Sequence, residues 1–163
     1  MEVRASGIAL VICILLLGVA IAGSISIATG PKYQAEIGRE WLWRARATTD
    51  LLDMSKYLNK SLDQLAQFHG NPSWWFAKPD TDFDLIKGNI EEVRNNAVLW
   101  SNLTGGSLAY QQAVQNLQEV IIEIVEHLDG AIDWIGKPAW LTAVWILALI
   151  FLMIGFLVFY MKD

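Results

Sequence analysis

Two stretches without a charged residue constrain this chain more than anything else in it: "ASGIALVICILLLGVAIAGSISIATG", residues 5–30, and "PAWLTAVWILALIFLMIGFLVFYM", residues 138–161. A hydrocarbon core is about 30 Å thick, so a helix needs roughly 20 apolar residues to cross it. Both stretches exceed that, which predicts transmembrane helices over 7–29 and 138–161. The tails, 1–6 and 162–163, are short, and residues 31–137 form the one large segment between the spans. Arg4 followed by an apolar run and the small residues "AIAG" also fits a cleavable signal peptide cut after Ala22. With Met1 present, an uncleaved anchor is the expectation. Cys13 is the sole cysteine, so no disulfide forms within the chain.

Residues 31–137 carry ten Lys or Arg and fifteen Asp or Glu, a net charge of −5. No basic stripe is present to neutralise phosphates, which argues against nucleic acid. Charges near the span ends are almost balanced across the two sides, with Lys32, Arg39 and Lys137 facing Arg4, Lys162 and the amino terminus. A segment this long translocates largely regardless of such charges. The expectation is an integral membrane protein with both termini cytoplasmic and 31–137 extracytoplasmic. The sequons at Asn59 and Asn102 are compatible with that side, although such tripeptides arise often by chance.

Breakers frame the middle segment: Gly30-Pro31 after the first span and Gly136-Lys137-Pro138 before the second, each with Pro suited to a first helical turn. Tyr33, Trp134, Trp140 and Tyr160 stand where interfacial aromatics stand. Between the breakers no segment alternates with period two, so the expected fold class is all-α. Ile37, Trp41, Leu51, Met54, Leu58, Leu62 and Leu65 predict a first long helix ending near His69-Gly70. A second is expected from Thr81 to about Asn102, its first turn capped by the Thr81 hydroxyl and favoured by Asp82 and Asp84. Gly105-Gly106 breaks it. A third runs from Ser107 to Ile135 on the seam Leu117, Val120/Ile121, Ile124, Leu128, Ala131/Ile132.

The first and third helices, roughly 50 and 43 Å long at about 1.5 Å per residue, pair most simply as an extracytoplasmic helical hairpin. The second helix and the 70–80 loop then form a distal cap. The alternative breaks the first helix near Thr48-Asp50 and gives a four-helix bundle, which returns the loop to the membrane surface. That break lacks Gly and Pro, so the hairpin is the expectation.

Three features invite a functional reading. Trp74, Trp75 and Phe76 stand in a row inside "NPSWWFAKPDTDFD"; each can cover roughly 150–250 Å² when buried. They plug the fold, anchor a partner, for which Trp is favoured, or, in the four-helix alternative, insert into lipid headgroups; they are taken as partner-binding candidates, with Trp75 the buried plug and Trp74 the more exposed. Asp80, Asp82, Asp84 and Glu91 match positions 1, 3, 5 and 12 of a calcium loop, but Leu85 replaces the required turn Gly and Lys87 adds a cation. Helix capping is the better reading. Gly18, Ala22, Ser26 and Gly30 recur every four residues in the first span, and in lipid such stripes favour close helix packing. Their neighbour is the bulky second span (Leu147, Phe151, Phe159) or another subunit.

His69 and His127 are the only histidines. Neither Glu-x-x-His nor His-Glu-x-x-His occurs around them, and no nucleophile elbow or phosphate loop exists. No catalytic residue, metal or cofactor is therefore expected. The expected function is a non-catalytic structural or accessory subunit, partnered by the lipid bilayer and by other membrane subunits or a homo-oligomer. A ligand-sensing ectodomain held between two spans, binding a small molecule, is the alternative. Such receptors usually carry a signalling module after the second span, where this chain ends at Asp163.

Overall fold

The computed structural model describes residues 2–73, 78–135 and 137–160, and within them all side chains except those of 2–7, 9, 10 and 158–160. Among these residues the chain is helical, without a strand: α1 (Glu2–Thr29), α2 (Pro31–Ala47), α3 (Leu51–Leu65), a short 3-10 turn at Pro79–Thr81, α4 (Phe83–Trp100), α5 (Leu108–Ile135) and α6 (Ala139–Tyr160). They fall into two compact units, one of α1 and α6 and one spanning Gly30–Ile135.

In the first unit, α1 and α6 run antiparallel: Cys13 donates its thiol to the Ala148 carbonyl, while Gly23 meets Trp140 and Leu141. Both helices are long and apolar enough to cross a membrane. Their side chains are mostly outward-facing, as with Leu15 (64% exposed) and Phe156 (66%). A water-facing helix is polar on its outer side. These are apolar all round.

In the second unit, α2–α5 close into a four-helix bundle, each helix antiparallel to its neighbours: α2 packs on α3 and α5, and α4 on α3 and α5. The expected hairpin with a distal cap is not what forms. The first long helix breaks after Ala47, and a new helix starts at Leu51. No Gly or Pro is needed, because the polar residues at the break satisfy the free backbone groups. The Asp50 carboxylate accepts from Asp53 N (2.9 Å) as an N-cap, and Thr48 Oγ1 accepts from Asp50 N (3.2 Å). Tyr110, from the start of α5, donates its hydroxyl to the Thr49 carbonyl (3.1 Å) and accepts from Leu51 N (3.2 Å).

Leu42, Met54, Leu58, Leu65, Phe83, Ile86, Ile90, Leu117, Ile121, Ile124 and Leu128 fill the core. The α5 seam is as expected, except that Ile121 is buried and Val120 lies 40% exposed. On α2 the buried face is Ala35, Gly38, Leu42 and Ala45, with Ile37 and Trp41 only half-buried beside it. Small residues there let α3 come close: Ser61 Oγ, fully buried, donates to the Gly38 carbonyl at 2.8 Å. An even number of antiparallel helices puts Gly30, residues 66–73 and 78–82, and Ile135 at one end of the bundle, and the 48–50 and 101–107 turns at the other.

Candidate functional site

Trp74, Trp75 and Phe76 lie outside the described residues, but the chain on either side of them is tightly held. Phe68 stacks on Phe83 with ring centroids 4.9 Å apart. Gly70, at φ +64°, reverses the chain, and its carbonyl accepts from Phe83 N at 2.9 Å. The Asp84 carboxylate accepts from Gly70 N (2.9 Å) and from Lys87 Nζ (3.0 Å), and stands 3.2 Å from His69 Nδ1. Lys87 also donates to the Phe68 carbonyl (2.7 Å). These donors, led by the Gly70 amide, hold the Asp84 carboxyl at a pKa of about 2. Further along, Asn71 Oδ1 accepts from Ser73 N (2.8 Å) and from the Thr81 hydroxyl (2.9 Å). The loop thus leaves and rejoins the bundle at fixed points.

The acidic ladder serves the same end of the structure in three separate ways. Asp80 sits in the 3-10 turn. Asp82, not Thr81, is the N-cap of α4, accepting from Asp84 N (2.8 Å) and Leu85 N (3.4 Å). The Thr81 hydroxyl is turned instead towards Asn71 and the Lys78 carbonyl. Asp84 faces the loop. Only Asp84 lies within α4, Asp80 being in the 3-10 turn and Asp82 at the extended cap, and no group of three or more metal-ligating side chains occurs among the described residues.

The small-residue stripe separates from the α1–α6 contact. Against α6, α1 buries Cys13 and Ala20 and brings Gly23 so near the Trp140 ring that a β-carbon there would stand 2.5 Å away. Gly18, Ala22 and Ser26 lie exposed on α1, and nothing comes within 4 Å of a β-carbon built on Gly18. Of the two neighbours expected for the stripe, the second span of the same chain is therefore not the one seated there. Gly30 belongs to the bundle unit, as the residue before α2. Phe159 lies among the side chains not described.

Sequence reasoning passed over the run "WLWRAR", 41–46, which among the described residues forms an aromatic and basic surface on the bundle. Trp41 stacks on Tyr57 of α3 (centroids 5.9 Å, 16° between planes), with Lys60 Nζ 4.3 Å and the Arg44 guanidinium 4.7 Å from its ring centre. Trp43, 42% exposed, carries Arg46 at 5.1 Å. The signal was legible: two Trp interleaved with Arg inside an otherwise acidic segment. On α5, by contrast, Glu119, Glu123, Glu126, Asp129 and Asp133 occur with no Lys or Arg.

A scan against protein-family models finds no match for this chain, and no curated protein or solved structure matches it either.

Proposed function

We propose that the chain is a non-catalytic accessory subunit of a membrane assembly, anchored by α1 and α6, with both termini cytoplasmic and the α2–α5 bundle presented outside to a partner. The observation that carries this reading is the contrast between the two units. α1 and α6 expose apolar side chains on nearly every side, as lipid-facing helices do. The bundle has an apolar core and a charged exterior, as a water-facing domain does.

Support for the accessory role comes from where the polar groups are used. Asp50, Asp82, Asp84, Asn71 and Ser61 are committed to caps and loop ties. The faces left available are broad and chemically simple: the Gly18/Ala22/Ser26 side of α1, suited to another span, and the Trp and Arg surface of α2. Aromatic residues and Arg are the types enriched at protein–protein interfaces.

A second reading, a ligand-sensing ectodomain, is favoured by the closed bundle itself, since helical sensor domains are held between two spans in this way. Native mass spectrometry of the full chain in mild detergent separates the two. A stoichiometric protein partner or an oligomer supports the accessory role; a monomer retaining a small molecule supports the sensor.

The side of the membrane is tested by a cysteine at Gln112, exposed on α5. Labelling by an impermeant maleimide in intact cells supports an external bundle, and labelling only after lysis rejects it. Ser73, a tempting loop position for that probe, is 4% exposed and unsuitable.

A further inference from the structure

We infer that the partner of the bundle is a second copy of this chain, docked side by side through the outer α2–α5 face about a two-fold axis parallel to the helices. The inference rests on the membrane-anchored reading above and names its partner.

The face is defined by contacts within the bundle. Arg39 reaches α5 through Asp129 at 2.7 Å. Trp43 and Arg46 follow at i+4 and i+7, so they lie on the same side of α2. On α5, Gln118 donates to the Thr48 carbonyl at 3.1 Å. Ile122 follows at i+4, and Glu119 and Glu126 form the adjacent outer ridge. The two cross-contacts, 39 with 129 and 48 with 118, set the heights of the helices: Trp43 and Arg46 stand level with residues 119–126.

Charge is divided between these helices. α2 carries four Lys or Arg against two Glu, and α5 carries five acids and no Lys or Arg. Glu119 and Glu126 are exposed and have no ion-pair partner among the described residues. A two-fold interface is self-complementary, because each surface meets its own equivalent. With the axis along the bundle, α2 of one copy meets α5 of the other, twice, with heights preserved. Arg46 then faces Glu119 of the second copy, and Trp43 packs beside Ile122.

The test uses the full chain in mild detergent, with the monomer–dimer midpoint read by native mass spectrometry over a dilution series. Wild type is expected to dimerise, less so as salt rises. Trp43→Ala is expected to raise the midpoint at least about tenfold, as a central aromatic anchor does, without lowering the melting temperature at dilutions where both chains are monomeric. Arg46→Glu and Glu119→Arg alone should each weaken self-association, because like charges then meet twice. Mixed one to one, the two variants should pair with each other, since both contacts become complementary only in the heterodimer. A wild-type chain that stays monomeric overturns the inference, as does a dimer indifferent to Trp43→Ala or a mixture without preference for the heterodimer. A monomeric chain that holds a different subunit in fixed ratio also overturns it, while leaving the accessory role standing.

Discussion

Leu65 of α3 rests directly on the bare backbone of Gly38 in α2: a β-carbon built at the glycine would lie 3.0 Å from both Cγ and Cδ2 of the leucine. The leucine is fully buried and the neighbouring Ser61 hydroxyl is bonded to the Gly38 carbonyl, so neither has an easy way to withdraw. Gly38→Ala gains up to about 1 kcal/mol of helix propensity, but crowding a packed core costs roughly 1–3 kcal/mol. The expected net effect is destabilisation by about 1 kcal/mol, and more for Gly38→Val. In α4, Gly88 is exposed with nothing within 4 Å of its would-be β-carbon. There Gly88→Ala should stabilise by about 0.5–1 kcal/mol. Thermal or urea unfolding of the two variants should move in opposite directions; matching shifts would contradict the close α2–α3 approach.

The Asp84 tie should titrate. Its folded pKa of about 2 lies below the ordinary 3.8, so its stabilisation is fully present above about pH 4 and is lost as pH falls through about 2. Asp84→Asn removes the charge at every pH. The melting-temperature gap between wild type and Asp84→Asn should therefore be constant near neutrality, shrink below pH 4 and close near pH 2. A gap that persists unchanged to pH 2 would show that the carboxylate charge plays no part in holding Gly70 and Lys87.

At the other end of the bundle, the α2–α3 reversal depends on Asp50 and Tyr110. Asp50→Ala removes an N-cap and should cost about 1 kcal/mol. Tyr110→Phe leaves the Thr49 carbonyl and Leu51 amide without their shared partner and should cost a similar amount. Both variants should still fold as bundles, since the core side chains remain. Circular dichroism with chemical denaturation measures the shift, and no loss in either variant would mean the turn is fixed by packing alone.

The Arg39–Asp129 pair is short, at 2.7 Å, but its side chains are 34% and 47% exposed. Exposed ion pairs contribute roughly 0.2–1 kcal/mol. A double-mutant cycle with Arg39→Met and Asp129→Asn should give a coupling within that range, falling as salt rises. A coupling of several kcal/mol would mean that water is excluded from this seam.

Helical content and the main seam could be read from residue spacing because burial imposes it. Leu117, Ile121, Ile124, Leu128 and Ile132 recur at threes and fours and are all buried. The break after Ala47 was harder to read. Its signal is a capping pattern, Asp50 at the end of the small and polar run "RARATTD" with Asp53 three positions on. The Tyr110 contacts that complete it come from about sixty residues away in sequence. Spacing alone also misjudged α2, where the large Ile37 and Trp41 look like core and the small Ala35, Gly38 and Ala45 form it. Close helix approach selects small side chains, which a hydrophobic pattern undercounts. The α1 stripe was visible as a stripe, but its orientation relative to α6 was not, because Cys13, Ala20 and Gly23 form an equally small-residue face.

Because Gly30 and Ile135 emerge from the same end of the bundle, and α2 and α5 are direct neighbours, any tension drawing the two emerging strands apart would act across the helices and not along them. The domain would be peeled, and not stretched. Separation would begin at that end and meet the Arg39–Asp129 contact before it reached Gln118 and the Thr48 turn. Peeling breaks contacts a turn at a time, so such a load would open the α2–α5 seam while leaving the α3–α4 half of the bundle paired.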